Sequence, residues 1–131
     1  MDANVIISGV AFGGKPGEIL SRLFAENFLH VTAPNIIGEA RRNLTVKLKM
    51  SGFLADVLLA EVIENSSYLN PAGNLKAIPH HADSKVLEVA IMGKCDVLVT
   101  CDKKHLLPLN SYQGVIIESP AHFLKRLESL K

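Results

Sequence analysis

Two short apolar runs without any alternation of polar residues constrain the fold of this chain more than any other feature of its sequence. One is Val97-Leu98-Val99 within Asp96–Thr100, and the other is Val115-Ile116-Ile117 after Gly114. Strands that are apolar on both faces are covered on both faces, which is typical of parallel strands packed between helices. We therefore expect both runs to be buried strands of a mainly parallel sheet.

Segments with helical periodicity surround these runs. Apolar residues recur at helical spacing in five segments: Pro16–Asn27, the residues after Pro34, the residues after Gly52, Asp83–Met92, and the residues after Ser119. Phe28–Thr32 is predicted to be another strand, and residues 70–81 are predicted to be a loop. The alternation predicts one α/β domain over residues 1–131, a three-layer α/β/α sandwich with a central, mainly parallel sheet. In such folds, ligands bind beyond the carboxyl ends of the strands.

Two of these helices have a predicted buried face. The helix after Pro34 is expected to turn these residues inward: Ile36, Ile37, Ala40, Leu44 and Leu48. The helix after Gly52 is expected to bury these: Phe53, Val57, Leu58 and Ile63.

Composition excludes several classes of protein. The 131 residues carry 14 Lys and Arg against 13 Asp and Glu, so the net charge of +1 lacks the basic excess of proteins that hold long nucleic acids by phosphate contacts alone. Cys95 and Cys101 match neither a zinc-knuckle nor a redox spacing, and we expect reduced thiols in a cytoplasmic protein. No apolar run reaches the roughly 18 residues of a membrane span, and no signal peptide is expected.

Four acidic residues fall at the boundaries of predicted elements, and each has an ordinary structural explanation. Asp83 stands where a helix N-cap is expected, and Asp102 follows a strand, where it would form a turn. Glu39 lies off the apolar stripe of its helix, as solvated glutamates do, and Asp2 is a charged residue near the chain end. Taken singly, these explanations are the better ones.

Taken together, the acids and their flanking residues resemble the PIN-domain ribonucleases. The resemblance rests on these segments: Asp2-Ala3-Asn4-Val5-Ile6-Ile7-Ser8, Glu39, Asp83 with Val86-Leu87 and Ala90, Val99-Thr100-Cys101-Asp102-Lys103, and Ile116-Ile117-Glu118-Ser119-Pro120. It covers nearly the whole chain and is greatest for the toxin components of bacterial toxin–antitoxin pairs. It also implies a short helix from about Asn4, although β propensity alone would make Val5–Ile7 a strand. We expect the helix.

The resemblance implies that Asp2, Glu39, Asp83 and Asp102 are the catalytic, metal-binding acids, with Asn4 and Thr100 as polar supports. Mg²⁺ and Mn²⁺ are hard cations that take oxygen ligands, so clustered carboxylates suit them. Such an ion relieves the repulsion between the acids and activates a water for attack on a phosphodiester. The resemblance thus implies metal-dependent endoribonucleolytic hydrolysis of RNA as the expected function. Many relatives carry a further acid at the position of His105. The histidine removes that possible metal ligand, and the core set of four acids remains.

Basic residues flank these acids. The candidates for contacts with RNA phosphates are Arg41, Arg42, Lys47 and Lys49 on the helix after Glu39, and Lys103 and Lys104 beside Asp102. A solvated basic surface is an equal alternative. His80-His81 precedes Asp83, but adjacent histidines in a polar loop are more often solvated than ligating.

By the same resemblance, RNA is the expected substrate, and an antitoxin protein and a second copy of the chain are the expected partners. No association with a membrane is expected. Two other functions stay open. One is a non-catalytic PIN scaffold that binds RNA or protein. The other is a phosphoryl-transfer or receiver-like domain with a phosphorylated Asp. The sequence disfavours the latter, because Asp2-Ala3-Asn4 offers an amide where a dehalogenase-like site requires a second Asp.

Overall fold

The computed structural model describes residues 1–71 and 81–130. Most of the predicted 70–81 loop, including His80, therefore lies outside the described residues. The helices are α1 (Ala3–Ala11), α2 (Gly14–Phe24), α3 (Pro34–Arg42), α4 (Gly52–Glu64), α5 (His81–Met92) and α6 (Pro120–Ser129). The strands are β1 (His30–Thr32), β2 (Ser66–Tyr68), β3 (Val97–Val99), β4 (Ser111–Tyr112) and β5 (Val115–Glu118). A π-helical turn, Asn43–Lys47, extends α3, and a 3₁₀ turn spans Leu107–Leu109.

The ends of these helices follow local chemistry. Asp2 caps α1, because its Oδ1 accepts a hydrogen bond from the Val5 N–H at 3.1 Å. Ser119 caps α6 in the predicted way, accepting from the His122 N–H at 3.3 Å. Pro34 is the first residue of α3, where its missing N–H costs no helical hydrogen bond. The segment around Val5–Ile7 is helical, as the family resemblance implied and β propensity did not.

The α/β class is confirmed, but the single central sheet is not. The described strands form two separate sheets: β1 pairs in parallel with β2, and β3 pairs in parallel with β5, whose other edge carries antiparallel β4. β2 and β4 were not predicted, because Ser66-Ser67-Tyr68 and Ser111-Tyr112 have no apolar pattern. The expected single parallel sheet is thus replaced by two sheets, one that contains β1 and another that contains β3.

Both predicted buried faces need correction. Leu44 is buried but Leu48 is 40% exposed, because the π-helical turn widens the helix and rotates the residues beyond it. In α4 the buried residues are Ala55, Leu59 and Val62, whereas Phe53 is 81% and Val57 is 50% exposed. α4 is apolar on nearly all sides, so periodicity does not single out one face. Ile116 is also partly exposed, so β5 is covered on one face only.

The buried apolar side chains form one core cluster that draws on all six helices and on β3 and β5. No helix in the described part of the chain is long and apolar enough to cross a membrane. Cys95 and Cys101 are both free thiols.

Candidate active site

Asp2 lies at the junction between α1 and the end of β3. Its backbone N–H donates to the Val99 carbonyl at 3.1 Å, and its Oδ2 accepts a hydrogen bond from the Thr100 hydroxyl. The residue is buried, and burial is the main cause that raises the pKa of its carboxyl; the charge of Asp102 raises it further. Hydrogen bonds from Thr100 and Val5 act in the opposite direction. Asp2 is therefore a buried acid that hydrogen bonds hold in place, and it is not a solvated charge at the chain end.

Thr100 connects Asp2 to Asp102. While its hydroxyl donates to Asp2, the same oxygen accepts from the Asp102 N–H at 3.0 Å. The Thr100 N–H donates to the Glu118 carbonyl at 3.0 Å, which continues the ladder between β3 and β5. One fully buried hydroxyl thus positions two of the predicted acids, as expected of a supporting residue.

Asp102 forms the turn that its position predicts. Its Oδ1 accepts from the N–H groups of Lys104 at 3.0 Å and His105 at 3.2 Å. The side chain is only partly buried, so carboxylate lone pairs remain for another partner. The turn and a role in binding are therefore compatible. His105 takes part through its backbone, which sequence reasoning did not anticipate.

Glu39 is close enough to Asp2 and Asp83 for their charges to change the pKa of its carboxyl. It is partly buried on α3; burial raises the pKa of its carboxyl most, followed by the charges of Asp2 and Asp83. The cations of Arg42 and Lys47 lower it. Glu39 is thus not an isolated surface glutamate, and Lys47 joins the residues near the site.

Asp83 lies in the first turn of α5. Because the helix begins at His81, Asp83 is its third residue, and the N-cap explanation is wrong. The residue is partly buried, and its charge reaches Glu39 on α3. Elements from four parts of the chain therefore carry the four acids, and charge interactions connect Asp102 with Asp2, Asp2 with Glu39, and Glu39 with Asp83.

The chemistry of this set fits a hydrated divalent cation. All four side chains offer carboxylate oxygens, and burial, followed by the charges of neighbouring acids, raises the pKa of Asp2 and Glu39. Among the described residues, no three His, Cys, Asp or Glu side chains already lie close enough to hold an ion. Mg²⁺ retains several waters and is commonly held by only one or two carboxylates, so such a site needs no closed protein cage.

Two polar atoms near these elements point to a missing partner. Thr32 Oγ1, at the carboxyl end of β1, and Asn35 Oδ1, in the first turn of α3, are buried without a hydrogen bond within the described part of the chain. Such atoms are normally satisfied by protein, water or ligand. Asn35 stands one helical turn before Glu39, and this spacing is the signal that could have found it.

The remaining predicted residues divide into two groups. Arg41 is engaged with Asp56 through an Nε–Oδ1 ion pair of 2.7 Å, whereas Arg42, Lys103 and Lys104 are exposed. Arg41 is therefore less available than the other three cations to bind an anion.

Asn4 is exposed on α1, so Asp2 is held by Thr100 and not by Asn4.

Cys101 lies between Thr100 and Asp102 but is not activated as a nucleophile. Burial raises the pKa of its thiol most, and the charge of Asp2 raises it further. A raised pKa keeps the thiol protonated and weakly nucleophilic.

The structure combines two small sheets with four candidate acids and with a buried threonine that follows β3. A family model identifies the class of protein to which this combination belongs. The PIN domain model matches residues 1–104, which is most of the chain. The chain belongs to the PIN-domain family, whose fold is of the nuclease type. No curated protein and no solved structure matches the chain.

Proposed function

We propose that this protein is a metal-dependent endoribonuclease that hydrolyses RNA phosphodiester bonds with an activated water. The observation that carries the proposal is the linked arrangement of Asp2, Thr100 and Asp102 at the end of β3. Glu39 and Asp83 complete the electrostatically coupled set. Membership of the PIN family supports nuclease chemistry at this position.

In this proposal Asp2, Glu39, Asp83 and Asp102 hold Mg²⁺ or Mn²⁺. When bound, the cation supplies positive charge that activates water and stabilises charge on the phosphate. Thr100 keeps Asp2 and Asp102 in a fixed relation, so that the strand end is organised before substrate arrives.

The RNA backbone would meet the exposed cations near the acids. Arg42 and Lys47 lie on the Glu39 side, and Lys103 and Lys104 flank Asp102. Contacts of this kind position a substrate without reading its sequence. Arg41 contributes less, because Asp56 already neutralises it.

We further propose that the protein is the toxin of a toxin–antitoxin pair, acting in the cytoplasm and restrained by an antitoxin protein, and that it forms a homodimer. Support comes from the resemblance of its motifs to those toxins and from the outer face of α4. Phe53, Leu54 and Val57 are exposed there as a continuous apolar patch, which typically marks a protein contact.

One observation favours a second candidate, a non-catalytic PIN scaffold. Both carboxylate oxygens of Asp2 already accept hydrogen bonds, and no three potential ligands in the described ranges are yet close enough to hold an ion. A scaffold would bind RNA or protein with this surface and leave the RNA intact.

A gel assay of end-labelled single-stranded RNA separates the two. The protein is incubated with Mg²⁺, Mn²⁺ or EDTA, alongside Asp102→Asn and the control Asp96→Asn, which removes the same charge from the opposite end of β3. Cleavage that requires both metal and Asp102, and that survives in Asp96→Asn, supports the nuclease. Intact RNA with all metals, or equal cleavage by Asp102→Asn, overturns it.

A further inference from the structure

Asn35 lies on the same border of α3 as Glu39. The two residues are four positions apart, so their Cβ atoms are about 6 Å from each other on the helix surface. Both are partly buried, and at about 100° per residue both fall on one border between the buried and the exposed side of the helix. The residues on the buried side are Ile36, Ile37 and Ala40, and those on the exposed side are Pro34, Gly38, Arg41 and Arg42. Asn35 is therefore a neighbour of Glu39 on the side where α3 begins.

The start of α3 is also the end of the helix that lies next to a strand end. The helix begins at Pro34, two residues after β1 ends, and Asn35 stands in its first turn. It packs against α1, which Asp2 caps, and against α5, whose first turn carries Asp83. Asn43 is equally far from Glu39 in the opposite direction, where the π-helical turn begins. Asn35 is thus on the strand-end side of Glu39, and Asn43 is on the far side.

Oδ1 of Asn35 is buried and accepts no hydrogen bond within the described part of the chain. Oγ1 of Thr32, three residues earlier at the carboxyl end of β1, has no partner among those residues either, and Thr32 is fully buried. An unsatisfied buried acceptor costs free energy, and native proteins normally supply such an atom with a donor from protein, water or ligand. The start of α3 therefore offers acceptor oxygens to a group that donates hydrogen bonds.

A hydrated divalent cation is a group of this kind. Mg²⁺ keeps several of its waters when one or two carboxylates hold it, and those waters donate hydrogen bonds to nearby oxygens. Side chains that stand behind the direct ligands in this way commonly orient the site. The amide oxygen of Asn35 suits the task because it carries no net charge. It adds nothing to the repulsion that Asp2 and Asp83 already exert on Glu39.

We propose that Asn35 is a positioning residue of the metal site, and that its Oδ1 accepts a hydrogen bond from a water of the hydrated cation that Glu39 binds. The inference rests on the metal site of the proposed function and deepens it. The four acids remain the direct ligands, and Asn35 acts on the cation only through the water. Asn35 thereby fixes the orientation of that water on the strand-end side of Glu39.

A titration with Mn²⁺ alone tests the proposal without RNA. The electron paramagnetic resonance signal of the free ion gives the affinity of the parent, Asn35→Ala, Asn35→Asp and the matched control Asn43→Ala. We expect Asn35→Ala to bind Mn²⁺ about tenfold more weakly, as is usual when a residue behind the ligands is lost. Asn35→Asp keeps the oxygen and adds a negative charge, so its affinity should rise above the parent's. Asn43→Ala should bind as the parent does, because Asn43 is on the far side of Glu39.

The melting temperature of the metal-free proteins separates this role from a structural one. Asn35→Ala removes a buried acceptor that lacks a donor, so it should melt no lower than the parent. Parent-like Mn²⁺ affinity in Asn35→Ala, or weaker binding by Asn35→Asp, overturns the proposal, because the amide then does not act as an acceptor for the cation's water. Absence of Mn²⁺ binding by the parent contradicts the metal site itself and the role of Asn35 with it. The two failures are therefore distinguishable.

Discussion

The Thr100 hydroxyl donates a hydrogen bond to Asp2 Oδ2, although the two residues are 98 positions apart in the chain. Both are buried, so the bond replaces water that neither group can reach. The same oxygen accepts from the Asp102 N–H. Loss of this hydroxyl would therefore affect both acids at once.

Replacing Thr100 by Val removes the hydroxyl and keeps the side-chain shape. We expect the free energy of unfolding to fall by about 1–3 kcal/mol, because a buried carboxylate oxygen and the Asp102 N–H lose their partner. Thr100→Ser keeps the hydroxyl and should lose only about 1 kcal/mol for the missing methyl. Urea unfolding at neutral pH measures both, and an equal loss in the two variants would contradict the role given to the hydroxyl.

Replacing Asp83 or Asp102 by Asn tests the acidic set. Asn keeps the turn hydrogen bonds of Asp102 to the Lys104 and His105 N–H groups, so the fold should survive. Metal-dependent RNA cleavage should fall by more than about tenfold, since changes even outside the first ligands of a metal cost that much. Asp96→Asn is the control at the far end of β3. Full cleavage by Asp83→Asn would remove that residue from the site.

The stability of the metal-free protein should carry a pH signature of Asp2 and Glu39. Both have folded-state pKa values raised above the ordinary ones, so the folded state binds more protons than the unfolded state above about pH 4. Their contribution to stability is therefore present at low pH and is lost as the pH rises through the raised pKa values. Asp2→Asn should remove its share of this loss, so that the stability of the variant changes less with pH than that of the parent.

The readout for this prediction is the difference between the two proteins in urea unfolding from about pH 3, below the ordinary pKa values of both acids, up to neutral pH. Buried His30, whose pKa is lowered by burial, contributes a slope of opposite sign that is common to both proteins. A difference that does not change with pH would contradict the raised pKa of Asp2. Added Mg²⁺ should stabilise the parent more than the variant.

Arg42 and Arg41 are adjacent but should differ in RNA binding. Arg42 is exposed and lowers the pKa of Glu39, whereas Arg41 is paired with Asp56. Arg42→Ala should weaken binding and reduce the slope of log affinity against log salt by about one, as expected for one phosphate contact. Arg41→Ala should change the slope little. Fluorescence titrations with a labelled RNA over several salt concentrations give both slopes, and slopes equal to the parent's in both variants would place both arginines outside the interface.

Phe53 tests the proposed protein contact of α4. Its side chain is 81% exposed, so Phe53→Ser should leave the free energy of unfolding within about 0.5 kcal/mol. If a second copy covers this patch, the variant should shift the molecular mass in solution towards the monomer. Sedimentation equilibrium over a range of protein concentrations makes the comparison, with Glu61→Gln on the same helix as the control. An identical association constant would exclude this face from a dimer contact.

Local signals predicted much of this fold. Pro34 and Ser119 mark helix starts through their own backbone chemistry, and the apolar runs of β3 and β5 identify strands without tertiary information. The four candidate acids were selected because their order along the chain resembles a known family. Their convergence is a property of the tertiary fold, since Asp2 and Thr100 meet only when α1 packs at the end of β3.

Other features had no local signal. Ser66–Tyr68 forms β2 through backbone pairing with β1, which its polar side chains do not announce. The π-helical turn at Asn43–Lys47 shifts the register of its helix, so a strict helical period misplaces Leu48. Thr32 Oγ1 is buried without a hydrogen-bond partner in the described ranges, and no sequence pattern predicts this.

The match to the PIN model ends at Lys104, but residues beyond Lys104 also support the site. Among the described strands, β3 has β5 as its only neighbour, and the Thr100 N–H is held by the Glu118 carbonyl. A fragment cut at the border of the match would keep every candidate acid and lose the strand that orders the end of β3. We therefore expect the cooperative folding unit to include β5 and α6, which both contribute to the core cluster, and fragments for expression or exchange between relatives should retain them.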